Sequence, residues 1–148
     1  MSWARLLLLA YLGVLAVLVF LPSGRGMDLG DRLNIVPFAT IERAFELGTR
    51  SLSFRLMLGN IFAFVPFGLL LPLAYRLRWP VLIVGLSATA LSVAIELGQS
   101  AISQWLGYAY RSTDIDDVIL NVVGALIGAV AFAIWQVARP PAEEQSAG

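Results

Sequence analysis

The sequence predicts an all-α polytopic membrane protein, a four-transmembrane-helix bundle with an interfacial loop or helix between the first two spans. Three observations carry this expectation. The 148 residues are 59% hydrophobic with a mean hydropathy of +0.81, too apolar for an ordinary soluble domain. Four apolar runs are each long enough to cross a hydrocarbon core of about 30 Å, which takes roughly 20 residues. Those runs lack the alternation of barrel strands, and only helices or closed barrels satisfy backbone polar groups in lipid.

The first span, about residues 4–22, is nearly pure Leu, Val and Ala. Arg5 gives it the charged start of a cleaved signal peptide. Its apolar stretch, however, exceeds the usual run of about 7–15 residues, and the following PSGRG has no small-x-small cleavage site, so an uncleaved helix is expected. The remaining spans are expected over about 54–75, 79–102 and 117–138, giving one membrane domain over 3–139 and a disordered tail over 140–148. Pro66 and Gly68 fall inside the second span, where freed carbonyls need other partners and a kink is expected.

The first loop, Ser23 to Ser53, contains the apolar segment NIVPFATI (Asn34 to Ile41). Beyond it Ile41, Phe45 and Leu47 alternate with Glu42, Arg43 and Glu46. Two readings stand side by side: an interfacial helix on the outer leaflet, or an ordered loop that caps the bundle.

Composition removes whole classes of chemistry. Ten arginines balance ten acids and there is no Lys, so no net charge argues for nucleic acid. Cys and His are absent, which excludes disulfides, thiolate or imidazole nucleophiles, and zinc or haem sites built on those ligands. No cofactor is expected. A metal would have to be a hard cation on oxygen ligands.

Orientation rests on a short turn. Arg76 and Arg78 sit between the second and third spans with no acid beside them. Placing that turn in the cytoplasm puts Arg5, Arg139 and both termini there. A strict arginine count over the mixed first loop argues the other way. The acid-free turn is given more weight, so the polar loops are expected to face outward.

One polar constellation stands out, because an ionisable group at bilayer depth costs at least about 2.5 kcal/mol and so marks a working site. At about 100° per residue, Thr89, Ser92, Glu96, Gln99 and Ser103 share one stripe of the third span. Asp117, Asn121, Gly124 and Gly128 share a face of the fourth, with the Glu96 stripe as the expected neighbour and the glycines allowing close approach. Arg111 is the natural counter-ion for Glu96, Asp114, Asp116 and Asp117, and a bidentate pair with one of them is expected. Asp114 or Asp116 can cap the fourth helix, where the dipole favours an acid. Mixed Arg, Asn, Gln and carboxylates suit a peptide, sugar or phosphate headgroup. They form no recognised hydrolase set.

The order of motifs NIVPF, then N-x-x-x-F-x-P-F-G (Asn60 to Gly68), then E-x-x-Q (Glu96 to Gln99), then R-x-x-D-x-x-D-x-x-x-N-x-x-G (Arg111 to Gly124) resembles the VanZ-like family of bacterial membrane proteins. The resemblance runs from about Asn34 to Trp135, with no departure at the motif positions. It implies a multi-pass protein of the bacterial cytoplasmic membrane, in a family whose founding member confers low-level resistance to the glycopeptide teicoplanin. The candidate ligand-binding residues are Asn34, Asn60, Glu96, Gln99, Arg111, Asp114, Asp117 and Asn121.

Three functions remain open. The leading one is a non-enzymatic envelope protein whose outward polar pocket binds a cell-wall precursor, lipid headgroup or glycopeptide, with membrane lipids as its surroundings. The second is a carboxylate-dependent enzyme on a lipid-linked substrate, using Mg²⁺ or Ca²⁺ and Glu96 as general acid or base. The third is a small proton-linked transporter or accessory subunit, which four short helices could serve as a homo-oligomer.

Overall fold

The computed structural model describes residues 2–21, 33–108 and 111–138. Five helices and two short strands follow one another: α1 (Trp3–Phe20), β1 (Leu33–Asn34), α2 (Ala39–Glu46), α3 (Leu52–Tyr75), α4 (Pro80–Leu106), β2 (Thr113–Asp114) and α5 (Ile115–Val137). Four of the helices, α1, α3, α4 and α5, are long and apolar enough to cross a membrane. The chain is an all-α, multi-pass membrane bundle, as its hydropathy predicts. The tail over 140–148, Arg139 and the early part of the first loop (22–32) lie outside the described residues.

Local chemistry sets the helix ends. Ser51 caps α3 by accepting from the Phe54 N–H at 3.1 Å, so the helix begins at Leu52 rather than 54. Pro80 opens α4, whose first turn needs no N–H there. The same helix runs on to Leu106 instead of 102 and stops at Gly107, which takes the left-handed φ of 77°. Asp114 caps α5 by accepting from the Asp116 N–H at 2.9 Å.

The centre of the bundle is the contact between α3 and α5, where backbone meets backbone. A Cβ added at Gly68 would lie 1.9 Å from the Ala125 carbonyl oxygen, and one at Gly124 would lie 2.1 Å from that of Ile61. Gly128 meets Val65 in the same way. The α5 glycines therefore pack on α3, not on the Glu96 stripe of α4 as expected, while Asn121 of the same face does reach that stripe at Ser92. Helical arithmetic identifies a face but not the helix it will meet. Small residues drive such contacts in lipid, where burying leucine against leucine gains nothing over leucine against acyl chains.

The other elements arrange themselves around this pair. α4 lies against α5, with Val84 and Ala88 fully buried. α1 packs on α3 through Ala4, Leu8 and Leu15, and the Tyr11 hydroxyl donates to the Ala63 carbonyl at 2.6 Å. That carbonyl is the neighbour of the one Pro66 leaves without an in-helix donor. α2 rests on the bundle through Ala44, buried on Met57 and Leu120, while Phe45 and Leu47 stay exposed. The first loop is thus a short helix and a cap on the bundle together. β1 and β2 pair in parallel, Leu33 with Thr113 and Asn34 with Asp114, and fasten this cap to the start of α5.

Candidate functional site

At the end of the bundle that carries α2, side chains far apart in sequence close off one another's helix termini. Each helix leaves about four N–H groups unpaired at its start and four carbonyls at its end. α2 begins at Phe38, a non-glycine residue with φ 70° and no side-chain cap of its own. Its cap comes from α5. The Asp116 carboxylate, 0% exposed, accepts from the N–H groups of Phe38 (2.6 Å), Thr40 (2.8 Å) and Ile41 (3.2 Å). A buried anion at a helix N-terminus is stabilised by those dipoles as well as by the bonds.

Asp114 secures the same segment from the other side. It accepts from Asn34 Nδ2 at 3.1 Å and from the Thr40 hydroxyl at 2.5 Å, besides capping α5. Asn34 also donates to Thr40 Oγ1 at 3.0 Å and accepts from the Val36 N–H at 3.2 Å. The Asp114 backbone N–H donates to Glu96 Oε2 at 3.1 Å, which joins α4 to the latch.

α1 ends against two more distant groups. Gln99 Nε2 donates to the Val19 carbonyl at 2.8 Å, and Arg111 Nη2 to the Leu18 carbonyl at 3.1 Å. These are last-turn carbonyls, where a cation also complements the helix dipole. The expected Arg111–carboxylate pair therefore gives way to a bond with backbone, and Arg111 Nε is buried without a partner. Last-turn carbonyls of α1 have no donor within the helix itself, a demand that sequence spacing does not reveal.

Deeper in the bundle the polar residues pair across helices. Asn60 of α3 donates to Asp117 Oδ1 of α5, and Asn121 of α5 donates to Ser92 Oγ of α4 at 2.8 Å. Ser92, Glu96, Gln99 and Ser103 are all buried, as the stripe predicts. Thr89 is the exception. It sits at the edge of the stripe, is exposed, and bonds back to the Gly85 carbonyl at 2.9 Å. By hydrogen bonding Glu96 and Gln99 meet Asp114 and Val19 rather than Asp117 and Asn121, while Glu96, Asp114, Asp117 and Arg111 remain close enough to interact through charge.

One cleft remains beside this latch, with a volume of about 150 Å³. Asn34, Glu96, Thr113 and Asp114 border it together with Val93 and Leu97, but the surface it opens is almost entirely apolar. The Thr113 hydroxyl is buried with no partner. A buried hydroxyl without a protein partner is a group that an ordered water can satisfy. Thr40 and Thr113 were missed by sequence reasoning because single threonines next to apolar residues carry no distinguishing pattern. Of the two acids expected to cap the fourth helix, Asp114 does so and Asp116 caps α2 instead.

Four long apolar helices with a loop helix docked on one end and a polar latch beneath it define a small multi-pass membrane bundle. The VanZ/LLP1 family model matches residues 8–136, and the chain belongs to that family. No curated protein and no solved structure matches it.

Proposed function

We propose that this protein is a non-enzymatic member of its family. Its Glu96–Asp114–Thr113–Asn34 cleft holds the polar head of an envelope lipid or lipid-linked cell-wall precursor. The cleft carries the reading because it joins an apolar surface to a border of buried polar residues, Asn34, Glu96, Thr113 and Asp114, which suits the junction between an acyl chain and its headgroup. Its volume of about 150 Å³ favours a headgroup over an entire glycopeptide. Drug-sized ligands occupy roughly 300–1,000 Å³. A contribution to low-level teicoplanin resistance then acts through the envelope and not through capture of the drug. The acid-free Arg76–Arg78 turn supports a bacterial cytoplasmic-membrane protein with both termini inside and the cleft outside.

The test uses near-isosteric changes in cells that need the protein for teicoplanin tolerance. Thr113→Val and Glu96→Gln are expected to abolish the gain, while Thr89→Val, on the exposed edge of α4, leaves it intact. Unchanged tolerance in both cleft variants at equal membrane levels would sink the assignment. Arg111 is a poor probe, since it holds α1. Sidedness is read separately with single cysteines at Ser112 and Arg78, the chain having none of its own. An impermeant thiol reagent is expected to reach the first in intact cells and the second only after lysis; the reverse order would overturn the orientation.

A further inference from the structure

A second polar feature lies at the opposite end of the bundle, where α1 and α4 begin and α3 and α5 end. Its charge is one-sided. Among the described residues this end carries Arg5, Arg76 and Arg78 and no acid, whereas Glu42, Glu46, Glu96, Asp114, Asp116 and Asp117 all belong to the α2 end. A cavity of about 660 Å³ opens here, with Arg5, Arg76, Ser2 and Gln136 among its polar lining and Trp3 and Trp135 among its aromatic lining. Trp3 and Tyr75, which line it, and Trp79 at the start of α4 are each more than half exposed. Tryptophan and tyrosine gather at the headgroup level of a bilayer, so the cavity stands at that depth.

The two arginines are set differently. Arg5 donates through Nε to the Ala74 carbonyl at 3.3 Å and stacks over the Tyr75 ring at 5.2 Å. That posture fixes the guanidinium plane while its bond uses Nε, leaving the two Nη groups for an oxygen anion. Arg76 occupies the C-cap of α3 with φ 51°, a left-handed position that glycine fills without strain. An arginine there carries a backbone cost that the helix end does not require. The first turn of α1 adds the positive end of its dipole, and Ser2 does not cap it with its side chain.

We propose that this cavity binds the phosphate of an anionic phospholipid, with Arg5 and Arg76 on the phosphate oxygens and Trp3 and Trp135 flanking the glycerol region. Guanidinium matches phosphate geometry through paired N–H donors. A lipid is favoured over a soluble anion because the cavity's aromatic rim lies where acyl chains begin.

Purified protein in detergent is titrated with phosphatidylglycerol, phosphatidylcholine or inorganic phosphate, and bound lipid is read by native mass spectrometry alongside the thermal midpoint. Phosphatidylglycerol is expected to bind and stabilise the wild type in preference to phosphatidylcholine. Arg5→Gln combined with Arg76→Gly is expected to weaken that binding about thirtyfold, at the usual worth of two arginines near a membrane surface. Arg76→Gly alone keeps the α3 cap and serves as the variant certain to retain its fold; it is expected to lose part of the preference. Equal retention of phosphatidylglycerol by wild type and Arg76→Gly would overturn the proposal. So would stabilisation by inorganic phosphate with no added effect of the lipid, which would assign the cavity to a soluble anion.

Discussion

Gly68→Ala is expected to destabilise the bundle by about 3 kcal/mol or more, at or beyond the upper end of ordinary overpacking. The new methyl would sit 1.9 Å from the Ala125 carbonyl oxygen, an atom of α5 backbone with no rotamer to yield. α3 and α5 would have to part by more than about an ångström to restore van der Waals distance, loosening every contact along their seam. Gly124→Ala is expected to act alike, because its methyl would meet the Ile61 carbonyl at 2.1 Å. The double variant should cost less than the two single costs together, since the first methyl already separates the helices. Gly59→Ala is the control: nothing lies within 4 Å of its added Cβ. It is expected to be neutral or to gain up to about 1 kcal/mol from better helix propensity. Thermal unfolding in detergent reads all four, and a Gly68→Ala midpoint equal to the wild type would refute the backbone seam.

Asp116→Ala is expected to release α2 while the four spans stay assembled. The substitution strips three backbone donors, at Phe38, Thr40 and Ile41, of one carboxylate. An orphaned buried donor costs about 1–3 kcal/mol, so the local loss is about 3 kcal/mol or more. Asp116→Asn should be nearly as damaging, because its amide would turn an N–H₂ group toward N–H donors. Ala44 supplies the readout. It is 0% exposed beneath α2 and the chain has no other thiol, so Ala44→Cys reports the undocked state directly. Labelling should be slow with Asp116 present and fast with alanine in its place, at unchanged thermal midpoint for the spans. Equal labelling rates in the two backgrounds would show that Asp116 does not hold the latch.

Much of the fold was legible because hydropathy and caps are local properties. Leu, Val and Ala runs marked the spans, and the buried stripe of Ser92, Glu96, Gln99 and Ser103 followed from helical period alone. The candidate site was legible as a place and not as a set of bonds. Asn60, Asp117, Asn121, Glu96 and Asp114 all proved to be polar contacts between elements. Their partners depended on which helices became neighbours. Gln99 and Arg111 looked like ligand donors because the uncapped carbonyls of Leu18 and Val19 are invisible in sequence. Thr113 is notable only through its hydroxyl, buried without a partner at the border of the cleft.

The remote caps have a consequence for how the chain is made. The end of α1 waits for a residue 80 positions later, Gln99, and for another 93 later, Arg111; the start of α2 waits 78 residues for Asp116. Until those later residues have been made, these helix ends lack the side chains that satisfy them. Only the arrival of the final hairpin closes them. Chains arrested before residue 114 are therefore expected to remain protease-sensitive at α2, and full-length chains are not.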